Sequence, residues 1–221
     1  MRWVTAGTSR QARIVERSMT STSTAPYVLS DETLDLLFRE ARTANTFTDE
    51  PVSVEQVRDI FELTKFGPTA MNNQPLRLVV LESPEARERL LPHMGGSNRA
   101  KTAAAPLVAI LAADTNFHER LPEHFPHFPG AKAMFEDDAA AREENAVFNA
   151  ALQVGYFIVG VRAAGLAAGP MGGFDKAGVD ADLLAGTGWK SLVVVNLGHP
   201  GPDAWFDRLP RIAFEDAVTV L

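Results

Sequence analysis

No cysteine occurs among the 221 residues. That excludes disulfides, thiolate nucleophiles and cysteine-ligated zinc or iron-sulfur centres, without fixing a compartment. Redox chemistry in such a chain needs a borrowed cofactor. Positive charge is also short, with 21 Lys and Arg against 28 Asp and Glu and a formal charge of -7. No basic cluster offsets it, so the footprint that grips a phosphate backbone is missing and nucleic acid is not an expected partner. No uninterrupted apolar run approaches the ~20 residues of a membrane span, and PLVAILAA at 106–113 has the length of a buried strand. What is present is an ordinary globular composition, 46% apolar and 22% charged, enough for a large core. A soluble, cytoplasmic protein that does not meet a membrane is expected.

Residues 1–28 read differently from the rest, with Arg2, Arg10, Arg13 and Arg17 followed by the polar STSTAP. They lack the apolar segment of a signal peptide. A transit-like segment is one reading; a disordered extension, with Met19 as an alternative start, is the reading favoured here. From residue 29 to 221 there is no repeat and no linker, so one domain is expected.

Apolar spacing then sets out the elements. Leu34, Leu37, Phe38 and Ala41 share a helical face after a Ser30 cap, and Arg42 and Thr43 close that helix. Ser53 and Gln56 have capping-box spacing, Val57, Ile60 and Phe61 continue a second helix, and Gly67-Pro68 stops it. Short runs at 78–81, 107–112 and 191–197 read as strands, and Pro84 opens a further helix. A mostly apolar helical pattern at 139–164 predicts a helix of roughly 39 Å, suited to a central position or a subunit interface. Helices with scattered strands imply an α+β fold with a small mixed sheet.

Four stretches carry candidate chemistry. GPTAMNNQPLRLVV at 67–80 sets Asn72, Asn73 and Gln74 at the mouth of a strand. They either cap the turn after Pro68 or meet a planar heteroaromatic edge that offers both donors and acceptors. ARTANTF at 41–47 offers Arg42 and Thr43, a guanidinium fork and a hydroxyl suited to phosphate, or merely an arginine facing a helix dipole. GPMGGFD at 169–175 is a glycine-dense turn that lets a flat ligand approach the main chain, with Asp175 as cap of the next helix. It lacks the strand-turn-helix context of a dinucleotide GxGxxG. RLPRIAFE at 208–215 carries Arg208 and Arg211, a phosphate pair or a solvated one.

Taken together and in order, these four motifs resemble the FMN-dependent nitroreductase family, over nearly the whole chain from residue 29. ERLPEHFPH at 119–127, PMGGFD and RLPRIAFE look like its malonic semialdehyde reductase branch, which acts in pyrimidine degradation. The resemblance implies a nitroreductase-like, intertwined homodimer with FMN at the subunit interface and NADPH or NADH as electron donor. It implies that Arg42, Thr43 and Asn45 contact phosphate and ring edge, with Asn45 where a Lys or Arg is usual; a neutral amide there would stabilise reduced flavin less. It further implies flavin contacts from Asn72 and Gln74, a ring-lining turn of Pro170, Met171, Gly172 and Gly173, and phosphate contact from Arg211, with Arg208 beside it.

No nucleophile, base or metal set is visible, as suits an enzyme whose cofactor carries the chemistry. The histidines His118, His124 and His127 lack a completing carboxylate, so no metal site is expected. The 119–127 segment is either a substrate lid, in which Arg120, His124 and His127 would meet an aldehyde acid, or a plain surface loop. Lys101 is a further candidate cation for that acid, or a helix-surface lysine.

Overall fold

The structure, a computed structural model, describes residues 27–221. The N-terminal extension expected at 1–28 therefore lies, up to residue 26, outside the described residues. Ser30, in extended conformation, accepts from the Thr33 N–H and opens α1 (Asp31–Leu34) with Asp31 and Glu32 in its first turn. The helix runs on as a π-type turn, Asp35–Arg39, and stops at Glu40. Arg42 and Thr43 are thus not helical, contrary to the apolar spacing. The chain is claimed instead by backbone pairing: Ala44 N–H donates to Ala168 O at 2.9 Å and Asn45 N–H to Ala204 O at 3.0 Å. Tertiary pairing outweighs a periodicity worth a few tenths of a kcal/mol per residue.

Both bonds of the Ser53/Gln56 capping box form at the start of α2 (Val54–Thr64). The remaining elements follow in order: β1 (Leu76–Leu81), α3 (Pro84–Leu90), α4 (Asn98–Ala104), β2 (Leu107–Asp114), α5 (Leu121–His124), α6 (Ala139–Ala163), β3 (Ala167–Met171), α7 (Lys176–Asp182), β4 (Trp189–Gly198) and α8 (Phe214–Ala217). Asp175 caps α7, accepting from Gly178 N–H.

The four strands form one sheet in the order β1-β2-β4-β3. Every pair is antiparallel, so the sheet is not mixed as the alternation of helices and strands implied. The reason is positional. β2 and β3 run the same way, as do β1 and β4, but another strand lies between the members of each pair, so no parallel strands are neighbours. β3 is also the strand that the sequence reading missed: Gly169, Pro170 and Met171 belong to it rather than to a turn. Gly169 is needed there, because a Cβ would stand 2.7 Å from Ala44 O.

All eight residues of β2 are buried, and its side chains alternate between two layers. Leu107, Ala109 and Leu111 pack with Phe157, Val161 and Ile60 from α6 and α2. Val108, Ile110 and Ala112 pack with Leu90, Met94 and Val179 on the other face. Among the described residues α6 is the one helix long and apolar enough to cross a membrane. It is, however, the central helix of this core, and its buried face carries Asn149 and Gln153.

Candidate functional site

Candidate residues gather in two places at the sheet's edges. At the β3 edge, the extended 41–46 segment lies between β3 and the chain after β4. The Arg42 guanidinium donates to Glu40 at 3.1 Å and to Phe206 O at 3.3 Å. Arg208 stands on the same carboxylate at 3.8 Å, so Arg42 and Arg208 converge with one negative charge between them. Thr43 is exposed beside them. Lys101, half-buried on α4, donates to Asn45 Oδ1 at 2.7 Å and lies over the Phe206 ring at 5.8 Å. Among the described residues it forms no ion pair. The neutral side chain at Asn45 is therefore matched to an ammonium delivered from another element.

The floor of this edge is the end of β3 and the glycine turn after it. Gly173 O accepts from Gly95 N–H at 3.1 Å and from Asn98 Nδ2 at 3.2 Å. A Cβ on Gly173 would stand 2.9 Å from Asn98 Nδ2, whereas one on Gly172 would meet open space. The backbone from Pro170 to Gly173 is thus fixed from below and free from above. Among the described residues Arg211 does not join Arg42; its guanidinium reaches Leu209 O and Pro210 O of its own turn.

At the β1 edge, the 69–76 turn has an unusual backbone. Met71 (φ 51), Asn72 (φ 50) and Gln74 (φ 44) are all left-handed, and none is glycine. Such conformations cost on the order of 1–3 kcal/mol each and persist only where surroundings impose them. Asn73 points inward, 2% exposed, and donates to Asn145 Oδ1 at 2.7 Å, while Asn72 faces out. Asn72 Nδ2 donates to His124 O at 3.0 Å, and Gln74 Nε2 donates to Asn72 Oδ1 at 3.0 Å. The run of amides is therefore divided: Asn73 is structural, while Asn72 and Gln74 are presented.

His124 connects this turn to the 117–136 segment, which is anchored rather than loose. Phe117 and Leu121 are fully buried against α6, and Lys132 pairs with Glu119 at 2.8 Å. That hydrogen bond holds the Glu119 carboxyl below its ordinary range. Burial, with the nearby Arg142 charge, pushes the His118 imidazole below its ordinary value. Arg120 and His124 line a cavity of about 190 Å³ with Gln74, Arg77 and Gln153. Arg77 is spent on Asp114 at 2.6 Å. Arg120 forms no ion pair among the described residues, and His124 Nδ1 is buried without a partner. His127 is not part of the cavity; its ring tilts on Phe125 with centroids 3.9 Å apart. Among the described residues no three His, Asp or Glu side chains converge as a metal site.

Within one chain the two groups do not meet. Leu76 is in register with Ala113, and Ala113 with Lys190, whereas Met171 faces Val194. They are thus separated by three strand spacings, about 14 Å, and by four residues along β4, about 13 Å. The chemistry of each is distinct. The β3 edge offers converging cations suited to a phosphate and an ammonium-amide pair suited to a carbonyl edge. The β1 edge offers planar amides and a small cavity of mixed polar and apolar lining. Sequence reading overlooked Asn98 and took Lys101 for a surface or substrate lysine. Their i,i+3 spacing, which puts both on one face of α4, was the available signal.

Three comparisons place the chain among known proteins. The model described as the nitroreductase family matches residues 38–199. A Streptomyces coelicolor protein, provisionally named an NADH dehydrogenase/NAD(P)H nitroreductase, is 62% identical over 88% of this chain and 98% of its own length. A crystal structure of a provisionally named nitroreductase from Exiguobacterium sibiricum, in complex with FMN, superposes with TM-score 0.75 at 18% identity, covering 88% of this chain and 99% of that one. CLA-ER, an enone reductase of gut-bacterial fatty acid metabolism, does so with TM-score 0.75 at 15% identity, covering 88% and 100%.

Proposed function

The chain belongs to the nitroreductase family, and we propose that it is an FMN-dependent oxidoreductase using NADPH or NADH, with residues 29–221 acting as one domain. The observation that carries this reading is the pairing at the β3 edge of two converging guanidinium groups with an ammonium held on Asn45, above a backbone turn open on one side. Bound FMN would supply hydride transfer, with the protein left to bind, orient and exclude water. Arg42, Thr43 and Arg208 would hold its phosphate, and Asn45 and Lys101 a carbonyl edge. Pro170, Met171, Gly172 and Gly173 would line the ring, and Asn72 and Gln74 would read its other edge.

Because the cationic and amide groups are far apart in one chain, we place the complete site between two copies. Exposed apolar surface supports a homodimer. Leu37, Phe38, Leu63, Leu152, Tyr156 and Val159 line a groove of about 600 Å³. The segment after β4 exposes Leu209, Ile212 and Phe214. Burying these side chains against a second copy would remove them from water.

The substrate reading is a small 3-oxo acid, malonic semialdehyde reduced to 3-hydroxypropanoate, as the 119–127 motif implies. The Arg120 cation fits a carboxylate, and His124 is the imidazole lining the same cavity. In this reduction the aldehyde carbon would gain a hydride and its oxygen a proton, which His124 would supply. A nitroaromatic or quinone reductase is the second reading, favoured by the name of the Streptomyces relative. A flavin-binding protein without turnover is the third.

An anaerobic visible spectrum separates the three. The flavin bands are expected to bleach with NADPH or NADH and return on adding malonic semialdehyde. Return with a nitrofuran or quinone alone would replace the substrate reading, and no bleaching would leave only binding.

A further inference from the structure

The strained 69–76 turn sits on a row of amides along α6. Asn145, Asn149 and Gln153 recur every fourth residue, so they share one face of the helix. Asn149, 1% exposed, accepts from Ala70 N–H at 2.8 Å through Oδ1. Its Nδ2 donates to Asn145 O at 2.9 Å and to Asn145 Oδ1 at 3.2 Å. Asn145 Oδ1 in turn accepts from Asn73 Nδ2. Gln153, 5% exposed, accepts from Leu76 N–H at 2.9 Å. The turn is therefore held at both ends by buried side chains, and at its middle by a half-buried one, of a single helix. The left-handed residues Met71, Asn72 and Gln74 lie between those bonds.

We propose that Asn149 and Gln153 are positioning residues, which force the 71–74 backbone into its left-handed form and thereby aim Asn72 and Gln74 outward in one arrangement. Two facts support the assignment over plain packing. First, α6 buries polar amides on a face where apolar side chains would fill the same volume without a polar desolvation cost. Second, the bonds go to backbone N–H groups of the strained turn, where their loss leaves buried donors unpaired. His124 O, accepting from Asn72 Nδ2, completes the arrangement from the 117–136 segment. The functional consequence rests on the proposal that Asn72 contacts flavin, but the clamp itself does not.

The test uses the full chain with and without FMN. In apo protein, Asn149→Leu is expected to raise hydrogen exchange of the Ala70 to Gln74 amides at least tenfold while β2 amides stay protected. Asn149→Asp, which keeps the oxygen that Ala70 uses, should restore most of that protection. In FMN titrations, Asn149→Leu should weaken binding at least fivefold, and Asn72→Ala should add little in that background. Unchanged exchange in the turn would overturn the clamp, and fully additive losses of two non-zero effects would overturn its role in aiming Asn72. If Asn149→Leu does not fold, Gln153→Met, which removes the acceptor for Leu76 N–H, is read the same way. Should Asn72→Ala alone leave FMN affinity intact while Asn149→Leu still loosens the turn, the flavin contact fails and the clamp stands.

Discussion

The two groups of candidate residues present their hydrogen-bonding groups by opposite means. At the β3 edge, relaxed backbone carries long, half-buried cations, and position comes from pairing: Arg42 and Arg208 on Glu40, Lys101 on Asn45. At the β1 edge, short amides sit on left-handed backbone, held by buried bonds to α6. A phosphate needs charge and tolerates movement, since each guanidinium can follow it. A ring edge needs donors and acceptors at fixed points, which only a rigid turn supplies.

Breaking the cationic side has the largest expected effect. Arg42→Ala or Arg208→Ala should each weaken FMN binding by about 1.5–3 kcal/mol, the worth of a charged hydrogen bond, measured by flavin fluorescence titration. Arg211→Ala should cost clearly less, because its guanidinium touches only its own turn. An equal loss at Arg211 would restore the arginine that the family resemblance favoured.

Gly169→Ala probes the backbone beneath the cations without touching charge. Its Cβ would press on Ala44 O and push the 41–46 segment off β3. An overpacking cost of about 1–3 kcal/mol is expected in urea melts, together with weaker FMN binding. Unchanged FMN affinity would show that this segment does not hold the cofactor.

Lys101→Met removes the cation that stands in at Asn45. It should lower the flavin reduction potential by about 30 mV, equivalent to about 1.4 kcal/mol for two electrons, in spectroelectrochemical titration. No shift would mean that the ammonium lies away from the charge that develops on reduction.

The smallest effect sharpens the amide side. His118 is held below its ordinary value by burial, so the unfolded chain binds the extra proton first. Its contribution to stability is complete above about pH 6.5 and is lost as pH falls toward the folded value. Wild type should lose more stability between pH 7.5 and 5.5 than His118→Gln, by urea melts at each pH. Equal losses would remove His118 from that dependence.

The same contrast explains what the sequence disclosed. Caps and long apolar periods were legible: the Ser53/Gln56 box, the span of α6 and the buried run of β2 all follow from local spacing. The family motifs pointed to Arg42 and Asn72, which lie at opposite edges of the sheet, and to 170–173, of which Pro170 and Met171 end β3. β3 was not legible, because glycine and proline mark turns and only pairing with β4 makes Gly169 and Pro170 a strand. Nor was Arg208's approach to Arg42, or Lys101's to Asn45, since these join residues far apart in sequence. The left-handed turn escaped for the same reason: its support lies on α6, more than seventy residues on.

The central claim is that each site takes its cations from one copy and its amides from another. The most direct test mixes an Arg42→Ala chain with an Asn72→Ala chain and isolates the mixed dimer. If the site is shared between copies, one of its two sites is intact and the other doubly defective, so one FMN should bind with native affinity. If both groups serve the same site within a chain, each site keeps one defect and no native binding returns.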